Sequence, residues 1–97
     1  MKHKARIDDN QTAIVDALRH ASCSVLSLAS LGGGVPDLLV HSPYLGLYVL
    51  FEIKNGDKPP SKRKLTPDQL LWHAKWTGPI HMIYSVEDAL IEAGVIR

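Results

Sequence analysis

The sequence predicts a small α/β domain, a mixed sheet flanked by helices. Three observations predict it. Segments near residues 11–20 and 67–76 repeat apolar side chains at the spacing of a helix face. Four short runs rich in Leu, Val, Ile, Tyr and Phe, bounded by Gly, Pro, Asn or Ser, read as strands. A length of 97 residues supports one domain, spanning 1–97, and no internal repeat or low-complexity tract divides it.

In chain order, Met1 to Asp8 is charged and is expected to fray. Asp8, Asp9 and Asn10 offer N-caps for a helix running to about His20, with Ile14, Val15, Leu18 and Ala21 on one stripe. Gln11 precedes Ile14, Val15 and Leu18 by three, four and seven positions. That spacing puts a polar group at the edge of the buried face, where it needs a partner. A short strand is expected from Ser24 to Ala29. Gly32-Gly33-Gly34 then reads as a tight turn with positive φ that would let backbone come close to a metal site or to DNA. No Gly-Lys-Ser/Thr follows it, so a nucleotide-binding P-loop is excluded. Pro36 sets its own φ and biases Val35 to extended geometry, which aims Asp37.

The stretch from Asp37 to Lys54 organises the rest. Asp37 heads one apolar run; Glu52 and Lys54 close a second, Leu47 to Ile53. Ser42-Pro43-Tyr44-Leu45-Gly46 between them reads as a hairpin turn. With the turn centred between Tyr44 and Leu45, Asp37 stands opposite Glu52, and Cβ atoms in such pairs lie about 4.5–5.5 Å apart. Glu52 and Lys54 share a strand face and Ile53 takes the other. A register slip of one residue would separate the acids. Two facing carboxylates repel, and a bound cation reverses the sign of that interaction. Such oxygen ligands suit Mg²⁺ or Mn²⁺ better than zinc. The arrangement fits a metal site for cutting nucleic acid, with Lys54 orienting the attacking water or stabilising the phosphate. The same residues also fit a buried ion pair beside a solvated aspartate.

After Lys54 the chain turns polar. Residues 55–64 lack apolar side chains and carry Lys58, Lys62, Arg63 and Lys64 against Asp57, so a mobile basic loop able to grip DNA phosphates is expected. Thr66-Pro67-Asp68 opens a second helix, with Thr66 as N-cap and Pro67 in the first position. Leu70, Leu71 and Ala74 form its apolar stripe; Gln69, Trp72, His73 and Trp76 fall on the adjoining side. Trp72 and Trp76 fit core or dimer contacts better than base-stacking platforms. His73 is a candidate general base, and His41, on the strand face of Asp37, a candidate neighbour of the site. A last strand covers Pro79 to Tyr84. Ser85 caps a short helix, Val86 to Ala93, that Gly94 ends.

Composition narrows the partners. A formal charge of +1 confines any nucleic-acid-binding surface to a local patch. Cys23 is the only cysteine, which excludes an internal disulfide and fits a small core residue. No apolar run approaches the roughly 18 residues that suggest a membrane span, and no apolar stretch follows Lys2, Lys4 and Arg6 to make a signal peptide. The chain therefore reads as cytoplasmic, in the host cytoplasm if phage-encoded.

Pro36-Asp37 followed fifteen residues on by Glu52-Ile53-Lys54 resembles the signature of the PD-(D/E)xK nuclease superfamily. With Gly32-Gly33-Gly34 before it and Leu65-Thr66-Pro67-Asp68-Gln69 after, the set is similar to the VRR-NUC family, in particular its small stand-alone phage and bacterial members, from about Arg6 to Ala93. The resemblance implies the restriction-endonuclease-like αβββαβ core and a metal-dependent DNA endonuclease. It implies that Asp37, Glu52 and the Ile53 carbonyl hold Mg²⁺ or Mn²⁺, that Lys54 is catalytic, and that Gln69 and Gln11 assist. Asn10 is the alternative to Gln11. It further implies a homodimer acting on branched DNA such as a Holliday junction. The competing class is a non-catalytic nucleic-acid-binding module of the same fold.

Overall fold

A computed structural model describes residues 9–96. Its principal elements are α1 (Gln11–His20), β1 (Ser24–Ser27), β2 (Leu38–Ser42), β3 (Leu47–Ile53), α2 (Pro67–Lys75), β4 (Ile80–Ile83) and α3 (Val86–Glu92). The elements follow the predicted order: helix, three strands, helix, strand, helix. The four strands form one mixed sheet in the order β1-β2-β3-β4, antiparallel up to β3 and parallel between β3 and β4. No helix among the described residues is long and apolar enough to cross a membrane.

The hairpin register is the expected one. Leu38 pairs with Phe51 and Ser42 with Leu47, so the turn centres between Tyr44 and Leu45. Local chemistry fixes it there. The Ser42 hydroxyl accepts hydrogen bonds from the Tyr44 and Leu45 amides, at 3.2 Å each, and donates to the Ala93 carbonyl. Gly46, at φ 69°, closes the turn in a conformation that side chains resist.

Strand alternation divides the sheet into two unlike faces. Leu38, Val40, Val49, Phe51, Ile53 and Ile83 point to one face and pack with Ile14, Leu18, Cys23, Ala89 and Ala93. These side chains are the hydrophobic core, and α1 and α3 cover it. Cys23 is buried there as predicted, and burial pushes its thiol pKa up. The other face carries Leu39, His41, Tyr48, Leu50 and Glu52. Helix α2, which crosses from β3 to β4, covers part of it. Beyond α2 lies a shallow pocket of about 130 Å³ lined by Ser24, Val25, Leu26, Leu39, His41 and Tyr48.

Several expectations are corrected. Strand β1 ends at Ser27, and residues 29–31 form a 3-10 turn. The basic segment is not structureless: Lys58 closes a turn on Asn55, and Pro60–Lys62 is a 3-10 helix. The largest departure is the orientation of α2. Its apolar stripe of Leu70, Leu71 and Ala74 faces solvent, with Leu70 and Leu71 56% and 61% exposed, and no residue of the helix is buried. The side bearing Gln69 and His73 faces the sheet instead. Asp8, offered as a cap, lies outside the described residues. Asn10 occupies the N-cap position of α1, but its side chain makes no capping bond.

Candidate metal and phosphate site

The site lies where β2 begins and β3 ends. Asp37 immediately precedes β2, and the hairpin register extended by one pair sets it opposite Glu52. Its Oδ2 accepts the Ile53 amide at 2.7 Å, so the carboxylate continues the ladder past the last strand pair. This hydrogen bond explains how Asp37 can stand against a second carboxylate: one of its oxygens is occupied by a backbone donor, which offsets part of the repulsion. Asp37 is half-buried and Glu52 is 1% exposed.

Both oxygens of Glu52 are engaged by α2. His73 Nε2 lies 3.0 Å from Oε1, and Gln69 Nε2 donates to Oε2 at 3.3 Å. Lys54 Nζ donates to Gln69 Oε1 at 3.0 Å. The same Oε1 accepts the Thr66 amide at 2.9 Å, while the Thr66 hydroxyl accepts the Gln69 amide, a complete capping box. Gln69 therefore caps its own helix and bridges the predicted acid and the predicted lysine. Burial, and after it the Lys54 charge, pushes the His73 pKa below its ordinary value, so the neutral imidazole is favoured.

Gly34 makes this approach possible. At φ +85° it lies directly beneath the first turn of α2, where a Cβ would overlap the Asp68 carbonyl. The glycine run does admit a close backbone approach, but the backbone it admits is that of α2.

Asn10 and Gln11 come from the third side. The Asn10 amide donates to the carbonyls of Lys54 (3.4 Å) and Tyr84 (3.2 Å), which pins the start of α1 to the ends of β3 and β4. Gln11 is buried as predicted, 4% exposed. Its Oε1 and Asn10 Oδ1 are buried acceptors with no hydrogen-bond donor among the described residues.

The remaining candidates stand apart. His41 packs edge-on against Tyr48, ring centroids 4.8 Å apart, in the shallow pocket and not at the acids. Arg63 is half-buried with its guanidinium 5.6 Å above the Tyr84 ring. Lys58 pairs with Asp9 at 3.7 Å, both exposed. Lys62 and Lys64 are exposed. Trp72 and Trp76 stack on one another at 4.7 Å, with Trp72 half-buried and Trp76 48% exposed. His73, a candidate general base from the sequence, instead contacts Glu52; the signal for that is its position four residues after Gln69, one helical turn away on the same side.

Among the described residues no cluster of three His, Cys, Asp or Glu side chains could hold a metal. An ion here would have two carboxylates and would complete its shell from backbone carbonyl and water. Mg²⁺ commonly binds in this way, through one or two carboxylates with several waters retained. The donor set is hard oxygen throughout, and the donorless oxygens of Gln11 and Asn10 suit the same chemistry. The residues present therefore fit Mg²⁺ or Mn²⁺. Compared with family models, with curated proteins and with solved structures, the chain matches none.

Proposed function

We propose that this chain is a metal-dependent DNA endonuclease with a PD-(D/E)xK core of the VRR-NUC type. The observation that carries the reading is the single bonded unit formed by Glu52, Gln69 and Lys54, with Asp37 set opposite Glu52 by the hairpin register. A buried carboxylate, a nearby second carboxylate and a lysine amine held by a shared amide match the needs of phosphodiester hydrolysis.

Asp37, Glu52 and the Ile53 carbonyl would hold Mg²⁺ or Mn²⁺. The ion would lower the pKa of a bound water and offset charge on the phosphoryl oxygens. Lys54 acts from the chain itself. Its amine is fixed by Gln69 and can stabilise the extra negative charge of the pentavalent phosphate, or orient the attacking water. Gln69 holds that amine and the carboxylate in one frame, so neither must reorganise as the reaction proceeds. Gln11 offers a buried acceptor for a water of the site. Exposed Lys62 and Lys64 supply phosphate contacts beside it, Lys58 joins them by releasing Asp9, and Arg63 serves chiefly to anchor the segment on Tyr84.

Branched DNA as substrate rests on the family resemblance. A homodimer is supported by the outward apolar stripe of α2, since exposed Leu70 and Leu71 are side chains of the kind that protein partners cover. Two-fold pairing would supply two sites for paired cuts.

The experiment is a panel of labelled four-way junction, flap, duplex and single-stranded DNA incubated with Mg²⁺, Mn²⁺ or EDTA. Metal-dependent cleavage that disappears in Glu52→Ala is expected. Binding without metal-dependent cutting of every substrate would replace this reading with the non-catalytic module.

A further inference from the structure

We propose that His73 is a positioning residue of this site: its imidazole holds the Glu52 carboxylate in the orientation that receives the cation. The inference rests on the nuclease reading and deepens it.

The geometry is specific. Holding a cation requires Glu52 as the carboxylate, which only accepts hydrogen bonds, so in that state His73 Nε2 donates to Oε1 across the 3.0 Å contact. Gln69 Nε2 donates to the other oxygen at 3.3 Å. The two donors sit four residues apart on one helix, so a single rigid element grips both oxygens. The terminal torsion of a glutamate is broad and would otherwise let the carboxylate plane rotate. Two donors from one side fix that plane.

Burial strengthens the case. The His73 side chain is 17% exposed and that of Glu52 1%, so the bond forms where water competes little. His73 is the closer of the two donors, and it is the one that no helix-capping requirement explains. Gln69 also completes a capping box, whereas the hydrogen bond of the His73 imidazole goes to the carboxylate. Ligating carboxylates are themselves held by hydrogen bonds in metal sites, and losing such a partner typically weakens metal affinity or activity about 10–100-fold.

The test uses the full chain with His73→Leu and His73→Gln. Mn²⁺ binding is measured without DNA by electron paramagnetic resonance, cleavage is followed against Mg²⁺ concentration, and unfolding is followed in EDTA. His73→Leu is expected to weaken Mn²⁺ about tenfold or more and to raise the Mg²⁺ needed for half-maximal cleavage by a similar factor, with KM for DNA within about twofold. His73→Gln, which keeps an N–H donor, should recover most of both losses. Unchanged Mn²⁺ affinity in His73→Leu overturns the inference, as does a glutamine variant no better than leucine. Should His73→Leu fail to fold, His73→Asn, a shorter amide, takes its place and is expected to fall below His73→Gln. Wild-type protein that binds no Mn²⁺ sinks the nuclease reading and this inference together. Wild-type binding that the His73 variants leave untouched sinks this inference alone.

Discussion

The two faces of the sheet are covered by helices held in opposite ways. Helices α1 and α3 dock through apolar side chains: Ile14, Leu18, Ala89 and Ala93 are fully buried against Phe51, Ile53 and Ile83. Helix α2 buries no residue and turns Leu70 and Leu71 to solvent. It is held by Gln69 and His73 on Glu52, by Gln69 on Lys54, and by the close passage of Gly34. Non-directional burial gives most of the stability on the first face. Directional bonds on the second face fix the position of polar groups; each contributes about 0.5–3 kcal/mol net, the larger values where a charged group takes part. The first face keeps the chain folded and the second keeps a site in shape.

Substitutions can break this contrast, and the largest effect belongs to the core. Phe51→Ala removes a fully buried ring and is expected to cost about 3–5 kcal/mol, read from urea unfolding, which leaves a marginal or unfolded chain. Gly34→Ala tests the other face. Its Cβ meets the Asp68 carbonyl and its φ is unfavourable, so a loss of about 1–3 kcal/mol is expected. The sharper outcome is that α2 lifts: the folded fraction should lose metal binding and cleavage out of proportion to stability, although residue 34 touches neither carboxylate. A Gly34→Ala protein that folds and cuts like wild type would show that the position of α2 does not matter to the site. The smallest effect comes from the outward stripe. Leu71→Gln should change unfolding free energy by no more than about 0.5 kcal/mol at a dilution where the chain is monomeric. Sedimentation at higher concentration should show weaker self-association; stability that drops by several kcal/mol in the monomer would mean the stripe is not solvent-facing.

The legibility of the sequence follows the same division. The hairpin register could be read because two local signals agreed. Ser42 to Gly46 specified the turn, and strand alternation put Phe51 and Ile53 on one face with Glu52 and Lys54 on the other. Gln11 could be read as buried because its spacing to Ile14 and Leu18 is helical. The orientation of α2 could not, because its apolar stripe points away from the sheet. Periodicity assumes that apolar residues face inward; here two polar contacts and one glycine decide instead. For the same reason a single histidine on a helix, such as His73, gives little signal of its partner in the sequence. Asn10 takes the N-cap position that the sequence offers it, but what its side chain bonds could not be read locally. Its actual partners, the carbonyls of Lys54 and Tyr84, are 44 and 74 residues away in the chain. Arg63 shows the limit of charge counting: the Tyr84 ring beneath its guanidinium could not be read from a run of basic residues.

The anchoring of Asn10 on the Lys54 and Tyr84 carbonyls, and of Ser42 on the Ala93 carbonyl, has a practical consequence for fusions and labels. The two anchors sit at opposite ends of the hairpin, roughly 20 Å apart along strands of this length. A label on exposed Asp9 would therefore sit at the acid end of the hairpin and crowd the approach to Asp37 and Glu52. A tag or fluorophore attached beyond Ala93 emerges by the Tyr44–Leu45 tip, where it can report on the molecule while leaving the approach to the carboxylates open.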